Sequence, residues 1–233
     1  MWQETVGGLT AGRRVLTPEF SGFGGTAPRT AEPSLDRFAE EVFALLDREG
    51  LRSVVLGGLS MGGYVAMACL RQQPERVRAL VLADTKAAAD PPEGRQKRLA
   101  MADRLEAEAT TDALVEGVLP ALVGSTTVKH RPDVLARVTD AVRAASPQGA
   151  AWAQRAMAAR PDSLGDLAAF ARPALVVRGD EDELSTAADT DAMVSALPAG
   201  RLVTLPGAGH LPAVEVPDDF SRALREFLDG LAQ

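Results

Sequence analysis

The stretch Gly58-Leu59-Ser60-Met61-Gly62 joins a largely apolar run, Ser53-Val54-Val55-Leu56-Gly57, to a helix-forming one, Gly63-Tyr64-Val65-Ala66-Met67-Ala68-Cys69-Leu70. Gly-x-Ser-x-Gly at a strand-to-helix junction is a nucleophile elbow, a turn so sharp that its serine is held in a strained backbone conformation. Glycines two residues to either side are expected because a Cβ there would collide with the neighbouring strand or helix. The turn lifts the Ser60 hydroxyl above the sheet. It also leaves the N–H of Met61 free at a helix N-terminus, where developing negative charge is stabilised. Ser60 is therefore the candidate nucleophile and Met61 the candidate oxyanion donor. As a bare pattern the pentapeptide also describes an ordinary Gly-rich turn, and it gains meaning only from the strand and helix around it.

Outward from the elbow, the chain alternates strand and helix, the rhythm of a parallel α/β sheet. Upstream, Arg14-Val15-Leu16-Thr17-Pro18 reads as a short strand running into the turn Ser21-Gly22-Phe23-Gly24-Gly25-Thr26. Ser34 is placed to cap a helix carrying Leu35, Phe38, Val42, Leu45 and Leu46 at helical spacing, with Gly50 ending it. Downstream, Val77–Ala83 reads as a strand buried on both faces. From 86 to 171 the pattern becomes Ala-rich and helical, with segments 96–110, 112–118, 133–145 and 149–159 punctuated by Pro120, Pro132, Pro147 and Pro161. Strands return at 174–177 and 201–205, with a helix at 186–197 between them and a closing helix from Pro217. The expected organisation is an α/β core over 1–85 and 172–233, with 86–171 inserted as a helical cap.

The 233 residues suffice for one domain with a sizeable core, and 46% hydrophobic with 24% charged residues is ordinary for a globular protein. A net charge of −7 without a basic stripe argues against nucleic-acid or anionic-membrane partners. The single cysteine, Cys69, excludes an internal disulfide framework and reads as a packed core thiol. With no apolar run of membrane-spanning length and no leader pattern, the expected location is the cytoplasm. No Cys/His cluster has metal-ligand spacing, and Gly22-Phe23-Gly24-Gly25 lacks the full dinucleotide-loop spacing, so neither metal nor cofactor is implied.

A serine hydroxyl needs a base to take its proton and a carboxylate to hold that base in the right tautomer. Only two histidines exist. His210 ends Pro206-Gly207-Ala208-Gly209-His210, a Gly-rich loop after the last strand, where it can be presented to the elbow. His130 lies in a basic turn of the helical segment and reads as a solvated residue. Gly179-Asp180-Glu181-Asp182-Glu183 follows a strand and offers the acid, with Asp182 preferred and Asp180 next. Asp84, after the preceding strand, is a further alternative.

With these pieces in the order Ser60, Asp182, His210, the chain resembles the α/β-hydrolase family. Pro18 with Ser21-Gly22-Phe23-Gly24, Gly58-Leu59-Ser60-Met61-Gly62-Gly63, Pro74-Glu75-Arg76-Val77 and Pro206–His210 carry the resemblance. Within that family it looks most like 3-oxoadipate enol-lactonases and related small bacterial carboxylesterases. The resemblance implies a serine hydrolase acting on a small carboxylic ester or lactone. The same triad also serves perhydrolase (haloperoxidase-like) and carbon–carbon bond hydrolysis, and a non-catalytic scaffold of this fold is a reading of another class. Trp152, Met157, Leu119 and Leu122 are candidate acyl-pocket residues, and Arg155 and Arg160 are candidates for a substrate carboxylate.

One departure matters. Family members open with a hairpin and a third strand whose following His-Gly loop supplies a second oxyanion donor. Here residues 1–6 look like the helix after that loop, so the usual first three strands have no counterpart. Their loss is expected either to leave backbone unpaired or to force the 14–18 and elbow strands together. Met1 is expected to be an internal methionine of a longer reading frame, the rival being a genuine short form with a weakened site.

Overall fold

The computed structural model describes residues 1–10, 12–27 and 30–231. Helix α1 (Gln3–Leu9) leads through an irregular stretch and the glycine turns at 21–25 into α2 (Leu35–Arg48). Strand β1 (Val54–Leu59) runs into α3 (Met61–Gln72), and a short 3-10 turn (Pro74–Arg76) delivers the chain to β2 (Val77–Ala83). Helices α4 (Pro92–Glu108), α5 (Asp112–Gly117), α6 (Leu119–Leu122), α7 (Ser125–His130), α8 (Pro132–Arg143), α9 (Pro147–Ala158) and α10 (Leu164–Ala168) follow. The chain then returns through β3 (Ala174–Gly179), α11 (Ala187–Ala196), β4 (Gly200–Leu205), α12 (Pro212–Glu215) and α13 (Pro217–Gly230).

The four strands form one all-parallel sheet in the order β1-β2-β3-β4. Side chains alternate across it, as the two-residue period of a strand requires. Leu80, Leu82, Ala174 and Val176 face a core built with α2, α3, α9, α10 and α11. Ala79, Val81, Ala83, Leu175 and Val177 face the opposite core, which α13 fills with Phe220, Leu224 and Phe227 and α1 closes with Leu9. Trp2 packs there as well, its ring 6.1 Å from that of Phe220. The sheet is thus covered on both faces, as parallel sheets are.

Local signals set many of the boundaries. The Ser34 hydroxyl accepts the N–H of Asp36 at the start of α2, and Thr186 forms a reciprocal capping box with Asp189 at the start of α11. Pro120, Pro132 and Pro147 lie in the first turns of α6, α8 and α9, so they open helices. Four predicted segments between β2 and β3 correspond to α4, α5, α8 and α9, while the short α6, α7 and α10 carry too little periodicity to read.

The strand predicted at 14–18 is absent: those residues are irregular, although Val15 packs against the second core. Isolated extended backbone becomes a strand only by pairing, and no strand of the described residues lies along the free edge of β1 to receive it. The 14–18 segment and β1 are not forced together. No helix of the described residues is long and apolar enough to cross a membrane.

Candidate active site

Ser60 sits at φ 53°, ψ −116° between β1 and α3, a conformation a non-glycine residue adopts only when its surroundings impose it. Its N–H donates to the carbonyl of Ala83 at 2.9 Å, and the Thr85 hydroxyl donates to the Ser60 carbonyl at 2.9 Å, so β2 and the loop after it brace the turn. The glycine pattern is shifted from the expected symmetry. A Cβ on Gly58 would overlap the backbone of Gly62, and one on Gly63 would come within 2.6 Å of the Thr85 side chain. A Cβ on Gly62 meets nothing, so Gly63 rather than Gly62 is the glycine required on the helix side. Met61 is the first residue of α3, and its N–H has no acceptor within the helix.

The loops after β3 and β4 bring Asp182 and His210 to this turn. His210 Nε2 lies 2.7 Å from Ser60 Oγ, and Nδ1 lies 3.0 Å from both carboxylate oxygens of Asp182. Both side chains are buried, Asp182 at 0% exposure and His210 at 6%. Burial works to raise the Asp182 pKa, but the hydrogen bond and charge of His210, with the N–H groups of Leu184 and Ser185 on the carboxylate, outweigh it and hold the pKa below the usual range. An ionised acid on Nδ1 orients the ring so that Nε2 is free to accept the serine proton.

The two alternative acids take other positions. Asp180 accepts the N–H of Gly207 at 2.8 Å, bracing the base loop from an exposed position. Asp84 is buried at φ 42°, with one oxygen accepting the N–H of Gly179 at 2.8 Å and its carboxyl lying beside that of Asp182. Burial pushes its pKa well above the ordinary value, and the neighbouring Asp182 adds to that. It reads as a neutral carboxyl beside the ionised one, and no hydrogen bond joins it to His210. His130 ends α7 exposed to solvent. Cys69 is buried in the core, its thiol pushed up to about 12 by desolvation. Among the described residues, no group of three His, Cys, Asp or Glu is placed to hold a metal ion.

The residues considered for substrate contact are mostly engaged elsewhere. Trp152 packs into an aromatic group with its ring tilted against Phe38 at 4.9 Å, and its indole N–H donates to the Ala31 carbonyl. Arg160 is buried: it grips Asp90 with two bonds of 2.6 and 2.7 Å and lies over the Tyr64 ring. Burial would raise the Asp90 pKa, but Arg160 and Arg98 together hold it at about 2. Arg155 pairs with Asp103 and Glu106 on α4. Leu119 and Leu122 belong to a small apolar cluster that reaches Leu211, the neighbour of His210.

Two supporting residues escape a reading of the sequence. Thr85 follows a candidate acid and carries no pattern of its own. Glu215 is one of 32 acidic residues, and nothing in its neighbourhood marks it as buried.

This geometry can be set beside known proteins. A model of the alpha/beta hydrolase family matches residues 1–223. The 3-oxoadipate enol-lactonase 1 of Acinetobacter baylyi is 27% identical over 239 residues, covering 99% of this chain and 84% of its own. Among solved structures, a thermophilic esterase from Thermogutta terrifontis is 34% identical with a TM-score of 0.96, covering 100% of this chain and 85% of its own. The enol-lactonase from Burkholderia xenovorans LB400 has 27% identity and a TM-score of 0.88, over 98% and 85% of the two chains. A family match spanning nearly every residue, on a parallel sheet flanked by helices, shows that the chain belongs to the alpha/beta hydrolase family.

Proposed function

We propose that this protein is a serine hydrolase that cleaves a small carboxylic ester or enol-lactone through an acyl-enzyme on Ser60. The observation that carries the reading is the continuous relay from Ser60 Oγ to His210 Nε2 at 2.7 Å and from His210 Nδ1 to Asp182 at 3.0 Å. In this reading His210 takes the Ser60 proton as Oγ attacks the carbonyl, then returns it to the leaving alcohol. Asp182 holds the imidazole and stabilises its charged form. The oxyanion lies against the Met61 N–H at the start of α3. Water, activated by the same imidazole, releases the acid, and residues 86–171 lie over the site as a cap.

The enol-lactonases and the esterase among similar proteins support the substrate class. Arg155 and Arg160 are already paired with carboxylates. Neither is therefore free to hold the acid group of a substrate.

A panel of p-nitrophenyl esters of graded chain length, run beside a neutral lactone, tests this. Wild type is expected to turn over the short-chain members, and Ser60→Ala and Asp182→Asn to lose about 10³-fold or more in kcat while remaining folded. A folded wild type inert on the whole panel, or a Ser60→Ala variant that keeps its activity, contradicts the proposal.

A further inference from the structure

Glu215 is a carboxyl group with 3% exposure and no cation paired to it among the described residues. It accepts four hydrogen bonds. Oε1 takes the N–H of Gly209 at 2.9 Å and that of Leu211 at 3.1 Å, the residues on either side of His210. Oε2 takes the N–H of Gly124, which caps α7, at 2.8 Å and the hydroxyl of Thr127 within α7 at 2.6 Å. Each carboxyl oxygen thus takes one pair of donors, so all its acceptor sites are engaged in bridging the two segments.

The surrounding backbone is built for this bridge. A Cβ on Gly209 would overlap the backbone of Gly124, and one on Gly124 would come within 2.8 Å of the Gly209 nitrogen. The base loop and the 124–127 segment therefore touch backbone to backbone, an approach that only glycine permits. Two further ties run alongside. The Glu181 carboxylate, beside Asp182, accepts the N–H of Thr126 at 2.8 Å, and the Arg131 guanidinium donates to the Gly207 carbonyl at 3.0 Å.

We infer that Glu215 is a positioning residue that locks the His210 loop to the helical segment at 124–127, so that the base holds its place against Ser60 only while that segment is docked. The inference rests on the ester-hydrolase reading for its kinetic consequence, but the coupling itself does not need turnover. Glu215 touches no reacting atom; it acts through the peptide groups that flank the imidazole. A displacement of about 1 Å at the base is enough to cost on the order of 10²-fold in rate.

Two variants and two readouts test it. Glu215→Gln keeps the shape but sets an amide NH2 against two donors, whichever oxygen it replaces. Thr127→Val removes the bond to Glu215 and the one the Thr127 hydroxyl accepts from Arg131 at 3.2 Å, both on the helical side, and Thr127→Ser restores them. With a p-nitrophenyl ester, Glu215→Gln is expected to lower kcat about a hundredfold with KM within about threefold. Thr127→Val is expected to lower kcat by several-fold, and Thr127→Ser to recover it. Hydrogen exchange on the same proteins is expected to rise together at 207–211 and 124–128 while the amides of β1 and β2 hold.

A folded Glu215→Gln with wild-type kcat overturns the inference, as does a loss expressed only in KM. So does exchange that rises in one of the two segments without the other, or in neither. If Glu215→Gln does not fold, the Thr127 pair decides by the same two readouts. A wild type that hydrolyses no ester sinks the functional reading, and the exchange experiment still settles the coupling.

Discussion

Asp84 and Asp182 interact as buried carboxyls whose titrations shift in opposite directions. Asp182 has a folded pKa below its unfolded value, so it adds stability above the unfolded value, which is lost as pH falls through the folded one. Asp84 has a folded pKa raised above its unfolded value. Its penalty is absent below the unfolded value and grows as pH rises toward the folded one, because the unfolded chain ionises first. Asp84→Asn keeps an oxygen for the Gly179 N–H and removes that penalty. The expected result is a higher Tm than wild type at about pH 8, with the difference vanishing at about pH 4, near the ordinary carboxylate range. Equal melting temperatures at the upper pH would show that Asp84 is not held neutral. At this scale the sequence displays the candidates but not their charge states. Asp84, Asp180 and Asp182 all follow strands, and only packing separates a neutral carboxyl, a loop brace and an imidazole partner.

At the scale of elements, the elbow depends on how closely α3 approaches β1. Gly58 lies in β1 with no room for a Cβ because the backbone at Gly62 and Gly63 begins the helix directly against it. Gly58→Ala is therefore expected to destabilise by about 3 kcal/mol or more, since backbone must move to admit the methyl. Gly62→Ala is expected to be neutral or stabilising by up to about 1 kcal/mol, the ordinary gain of alanine over glycine in a helix. Thermal unfolding of the two variants checks the contrast, and equal losses would contradict it. The motif presents Gly58 and Gly62 as equivalent flanks. Gly58 is required by the backbone of Gly62 and Gly63, and on the helix side Thr85 makes Gly63 rather than Gly62 the required glycine, contacts that cannot be read from the motif.

Larger elements were legible wherever a period or a cap marks them. Helix α2 shows its apolar stripe and its Ser34 cap, and α11 its capping box. The 14–18 segment has strand composition without strand structure, because a strand is a property of a pair and its partner is not in its own residues. Glu215 shows the same limit for a side chain: its four donors come from positions 124, 127, 209 and 211, which no local pattern connects.

Across the whole molecule, a parallel sheet places the ends of β1, β3 and β4 along one edge, so the loops after them meet over the elbow. The order Ser60, Asp182, His210 in the chain thus becomes one hydrogen-bonded line in space. The account stands on Ser60 being a nucleophile activated by that line. The most direct measurement is intact-mass and peptide mapping of the folded protein after reaction with a fluorophosphonate. The prediction is one adduct per chain, carried by Ser60, that disappears in Ser60→Ala and forms far more slowly in Asp182→Asn. An adduct on another residue, or none on the folded wild type, would contradict it.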